Sequence, residues 1–129
     1  NISRRFESRW IYLKPEKEEG LLTLPVAHGE GRFTATADNL ARIESEGLVT
    51  FRYCSIDGIS TRAYPENPNG SQNAIAGITD PSGRILGLMP HPERFVDRFQ
   101  HPNWRRLPSD FVPDGLKIIQ NIVHYARQL

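Results

Sequence analysis

Apolar residues in this chain come in short runs, each closed by proline, glycine or a charged turn, and that spacing limits what it can fold into. Runs of this kind suit β-strands, which bury a row of side chains within a few residues, better than long helices. Arg5–Leu13 has aromatic and β-branched content in partial alternation and is predicted to be a strand. Leu21–Ala27 reads as a buried strand with Pro25 at an edge or bend. Leu48–Tyr53 alternates cleanly, and Ala74–Thr79 and Arg84–Met89 read as two further strands. Asp80-Pro81-Ser82-Gly83 joins those last two as a hairpin loop. Asp38 is predicted to cap a helix over Asn39–Glu46 that Gly47 stops. Asp114 is predicted to cap the closing helix, where Leu116, Ile119, Ile122, Val123 and Ala126 recur at helical spacing and bury one face on the sheet. Residues 64–73 are loop-like, and Asp97–Pro113 is irregular and rich in Arg and Pro. The result is a mostly β core with a few helices. It suits either a complete α+β domain or the back half of a layered α/β domain whose first elements lie upstream.

At 129 residues the chain is one domain, 1–129, rather than two. Charged residues are 24% and hydrophobic ones 38%, a soluble globular balance. The net charge is +1 and the charges are scattered, so no nucleic-acid or anionic-membrane surface is indicated. No apolar run approaches the roughly 18–20 residues of a membrane span, and no signal-peptide pattern is present. The single cysteine, Cys54, excludes an internal disulfide and a multi-cysteine zinc site, and fits a reducing, cytoplasmic setting. The chain opens at Asn1 and its one methionine is Met89, so it reads as a piece of a longer polypeptide.

His91-Pro92-Glu93, directly after an apolar strand, is the sharpest chemical feature. An imidazole there can serve as a general base, and a carboxylate two residues on can hold its tautomer. The competing reading is an ordinary surface loop. His28-Gly29-Glu30-Gly31 also ends an apolar strand, and its glycines allow close backbone approach to a ligand. The plainer reading there is a bent strand with a solvated His and Glu. The two His-x-Glu pairs also permit a zinc or non-haem iron site, although their spacing does not demand one. Asn67-Pro68-Asn69-Gly70-Ser71 has turn chemistry and could alternatively offer amide hydrogen bonds to a ligand. Cys54 lacks a Gly-x-nucleophile-x-Gly elbow and is read as a buried thiol, not a nucleophile.

Pro25–Phe33, Tyr64–Ser71 and Gly87–Arg94, in this order and separation, resemble the glutaminase subunit or C-terminal glutaminase domain of phosphoribosylformylglycinamidine synthase. Arg5–Leu13 and Asp114–Gln120 look like the same family, so the resemblance covers nearly the whole chain. It implies an α/β fold: the C-terminal part of a flavodoxin-like class I glutamine amidotransferase domain, whose sheet is incomplete without the upstream half. It implies a Cys-His-Glu triad that hydrolyses glutamine and sends ammonia to an ATP- and magnesium-dependent synthetase in de novo purine biosynthesis. His91 would then be the catalytic base, Glu93 its orienting carboxylate, and His28 and Glu30 substrate-binding residues beside the glutamine pocket. No metal or cofactor is implied in this segment. The family's cysteine elbow has no counterpart here, so the isolated chain is expected to be inactive. Glutamine, the upstream half and the synthetase are the implied partners, and the Arg94–Arg106 segment is a candidate synthetase-facing surface. The alternative from another class is a non-catalytic interaction module on the same scaffold.

Overall fold

The structure, a computed structural model, describes all of residues 1–129. Its elements in chain order are β1 (Glu7–Pro15), β2 (Leu22–His28), α1 (Ala37–Ser45), β3 (Val49–Cys54), β4 (Ile75–Thr79), β5 (Leu86–Leu88) and α2 (Asp114–Ala126). The strands form one sheet in the order β2-β1-β3-β4-β5, with every pairing antiparallel. All the strands expected from the sequence are present, with their ends displaced by a residue or two. The parallel ladders of a flavodoxin-like sheet are not formed among these strands.

Strand alternation decides which side chains are covered. Leu24, Val26 and His28 of β2 share the inner face with Glu7, Ile11 and Leu13 of β1. The two strands pair continuously from Glu7 opposite His28 to Leu13 opposite Leu22. Tyr53, Ala74, Ala76, Phe95 and Ile118 complete the core. Trp10 meets the Phe95 ring edge-on, with centroids 5.0 Å apart. The β4–β5 loop forms as expected. The Asp80 carboxylate accepts the Ser82 hydroxyl and the backbone N–H groups of Ser82, Arg84 and Ile85, which hold its pKa down at about 2.

Both expected helix caps are corrected. The cap of α1 is Thr36, whose hydroxyl accepts the Asn39 N–H at 3.3 Å. Asp38 sits in the first turn, where its charge favours the positive end of the helix dipole. Gly47, with φ +64°, ends the helix as expected. Arg52 of β3 then ties α1 to the sheet, through ion pairs to Glu44 (2.6 Å) and Glu16 (2.8 Å). In α2 the flanking residue is Pro113, which has no side-chain cap to offer. Asp114 is buried, accepting the Thr23 N–H of β2 and the Lys117 ammonium, each at 2.8 Å. Its carboxylate joins the helix to the sheet rather than capping it.

The expected buried face of α2 forms only in part. Gly115 and Ile118 are buried, whereas Ile122 and Val123 are 50% and 44% exposed and Ala126 is exposed. The helix lies against β2 and the turn that follows β5, and its buried residues are all in its first turns. Ile85 and Leu86 are exposed as well, and the outer edge of β5 pairs with no other strand. One end of the sheet therefore presents apolar side chains and free backbone groups together. No helix is long and apolar enough to cross a membrane.

Candidate functional site

After β5 the prolines at 90 and 92 stop the ladder, and Pro92–Arg94 closes a single 3-10 turn. That turn is pinned from two sides. The His91 N–H donates to the Pro25 carbonyl of β2 at 2.9 Å, and the Leu116 N–H of α2 donates to the Phe95 carbonyl at 3.2 Å. The approach of α2 is so close that a β-carbon on Gly115 would overlap the Pro92 carbonyl oxygen. Phe95, just beyond the turn, is buried between Trp10, His101 and Phe111.

On this turn His91 Nδ1 lies 2.7 Å from Glu93 Oε1, with the imidazole half-buried and the carboxylate more open. Partial burial opposes ionisation of Glu93. Its own backbone amide, the His91 ring and Arg94 outweigh that effect and hold its pKa below the ordinary carboxylate value. An ionised carboxylate can only accept, so in the neutral ring Nδ1 carries the proton and Nε2 keeps a free lone pair. The arrangement is chemically that of a base with its orienting carboxylate.

His28 is buried because it falls on the inner face of β2, in register with Glu7. Burial pushes its pKa down, with Glu7 acting in the opposite sense. Its Nε2 is 3.4 Å from Asn69 Nδ2, and Nδ1 has no hydrogen-bond partner. A β-carbon at Gly31 would overlap the ring, so the chain folds back over His28 only with glycine there. Glu30 is exposed. The solvated reading thus holds for Glu30 and fails for His28.

The Asn67–Ser71 stretch is not an open turn. Asn67, Asn69 and Ser71 are all buried. Asn67 Oδ1 accepts the N–H groups of Gly70 and Ser71, and its amide donates to the Ser71 carbonyl. Asn69 and Ser71 reach across to the segment after His28, through Gly31 O (2.7 Å) and Phe33 N (2.9 Å). Tyr53, whose hydroxyl accepts from Asn69 at 3.0 Å, belongs to the same buried group. Sequence reading missed Tyr53 and Glu7 because nothing in strand alternation marks a polar inner position. The density of Asn and Ser at 67–71 was the only available sign of the buried network.

No three His, Cys, Asp or Glu side chains are arranged to hold a metal ion. The Cys54 thiol is fully buried at the end of β3, and burial pushes its pKa up to about 11. It therefore carries almost no thiolate at neutral pH.

A family model for the CobB/CobQ-like glutamine amidotransferase domain matches residues 1–126. The chain is 44% identical to phosphoribosylformylglycinamidine synthase subunit PurQ of Dehalococcoides mccartyi, covering 100% of this chain and 52% of that protein. It is 35% identical to the subunit PurQ of Methanococcus maripaludis, covering 97% of this chain and 53% of the relative. Among solved structures, PurLQS from Thermotoga maritima matches with a TM-score of 0.67 at 29% identity, covering 98% of this chain and 50% of that one. The chain spans about half the length of the curated relatives it matches. A match running from residue 1 to residue 126, over an α/β fold shared with a solved relative, places this chain in the CobB/CobQ-like glutamine amidotransferase family.

Proposed function

We propose that this chain is the part of a phosphoribosylformylglycinamidine synthase glutaminase that carries the catalytic base and its orienting carboxylate. The observation that supports this most directly is the 2.7 Å contact between His91 Nδ1 and Glu93 on a turn fixed by β2 and α2. A nucleophilic cysteine, supplied by a segment upstream of Asn1, attacks the side-chain amide carbon of glutamine. His91 takes the thiol proton and passes it to the departing nitrogen, so ammonia leaves and a thioester forms. His91 then deprotonates water, which attacks the thioester, releasing glutamate and restoring the thiol. Glu93 stabilises the imidazolium formed in each half-reaction. His28 and Glu30 stand at the glutamine pocket, His28 fixing the shape of the turn and Glu30 presenting its carboxylate. The isolated chain, with Cys54 inert, is inactive.

The ammonia passes to a synthetase partner, which holds ATP and magnesium and amidinates formylglycinamide ribonucleotide in the cytoplasm. Arg94, Arg105 and Arg106 are exposed and available to that partner, whereas Arg98 is turned inward, donating to the Trp104 and Leu107 carbonyls. Glutaminase kinetics of the full-length polypeptide test the reading. His91→Ala is expected to lower kcat by about 10²–10⁴-fold, the usual contribution of a general base, and Glu93→Gln by less. A His91→Ala protein as active as the parent would contradict it.

A further inference from the structure

The Asn67–Ser71 network is not used by the chemistry above, yet it touches the site at one point. The orientation of the Asn69 amide is fixed by its neighbours. The Ser71 N–H (3.1 Å) and Ser71 hydroxyl (2.7 Å) face Oδ1, and the Gly31 carbonyl (2.7 Å) faces Nδ2. A backbone N–H must donate and a carbonyl must accept, so the amide cannot be flipped. Nδ2 therefore donates its two hydrogens to the Gly31 carbonyl and to Tyr53 Oη (3.0 Å), with His28 Nε2 a looser neighbour at 3.4 Å. The same amide thus anchors the Gly31 backbone beside the His28 ring.

Ser71 extends the hold, its hydroxyl accepting the Phe33 N–H, while the Gln72 N–H donates to the Phe33 carbonyl at 3.1 Å. The turn so held leaves β2 at His28, three residues beyond Pro25, whose carbonyl receives the His91 N–H. The two histidine-bearing turns hang from one strand, and only the first depends on Asn69.

We propose that Asn69 is a positioning residue for glutamine binding: it holds the His28–Gly31 turn in the one geometry that completes the substrate pocket, and plays no part in the His91 proton transfers. The inference rests on the reading that this turn borders the glutamine pocket. Asn69 acts through the turn and so affects binding of ground state and transition state together. Its loss appears in KM, not in kcat or its pH profile.

The test is glutaminase kinetics on the full-length polypeptide in its synthase complex, with Asn69→Ala, Tyr53→Phe, Ser71→Ala and His91→Ala run beside the parent. Asn69→Ala is expected to raise KM for glutamine about tenfold or more, with kcat and its pH profile kept. Tyr53→Phe keeps the Gly31 and Ser71 bonds to Asn69 and should retain the parent KM. Ser71→Ala loosens Asn69 Oδ1 and should give an intermediate KM, which serves as the test if Asn69→Ala does not fold. A folded Asn69→Ala with unchanged KM, or one that loses kcat alone, overturns the proposal, as does an unchanged KM in Ser71→Ala where Asn69→Ala is unfolded. An active His91→Ala would instead remove the assignment of the base, and the KM effect at Asn69 would stand apart from it.

Discussion

His28 shows how the environment of one side chain can be read as a dependence on pH. Burial holds its pKa below the ordinary histidine value in the folded chain; its own backbone and Glu7 act against that effect, and the Asn1 ammonium and His91 act with it. In the unfolded chain the same ring takes up a proton below about pH 6.5. Above that pH both states are neutral and stability is full. As pH falls toward the folded-state pKa the unfolded state gains protons that the folded state refuses, and stability declines. The urea midpoint of the full-length polypeptide is therefore expected to fall between pH 7.5 and 5.5. A His28→Gln variant should show a shallower fall, and an equally steep one would assign the effect to other groups.

At the scale of elements, the joint between α2 and the His91 turn leaves no room for a side chain at Gly115. The contact at Gly115 is backbone against backbone, so a side chain there has nothing flexible to push aside. Gly115→Ala is expected to destabilise the folded protein by several kcal/mol or to displace the turn, on the scale of about 1–3 kcal/mol for overpacked sites and more where backbone cannot move. Thermal melting together with glutaminase assay of the full-length protein checks this. A stable and fully active variant would mean that α2 does not fix the turn. Strand positions were legible in the sequence because period-two alternation follows directly from burial on one face, as in Leu24 and Val26. The turn at Pro90–Glu93 was legible because proline cannot continue a ladder. The caps were not. Thr36 and Asp38 are both competent acceptors, and only the observed backbone path selects Thr36. Asp114 stands where a cap would, but the N–H that its carboxylate accepts, that of Thr23, lies 91 positions away. The buried role of Asn69 was hidden for the same reason, since its partners are distant in sequence.

For the whole molecule, the decisive feature is what the fold leaves open. The outer edge of β5 with the exposed Ile85 and Leu86, and separately the half-exposed Ile122 and Val123 of α2, are left uncovered. On the proposed function, the other half of the amidotransferase domain covers these residues. Sequence periodicity marked Ile122 and Val123 as core residues, and in this account they are core residues of the larger domain. On the same proposal, the segment that covers them also brings the nucleophilic cysteine. The most direct test is glutamine-dependent ammonia release from this chain mixed with the upstream segment of its parent, beside the chain alone and the same mixture carrying His91→Ala. The account requires ammonia release only in the unmodified mixture. Release by the chain alone, or by a folded and associated mixture carrying His91→Ala at the rate of the parent, would contradict it.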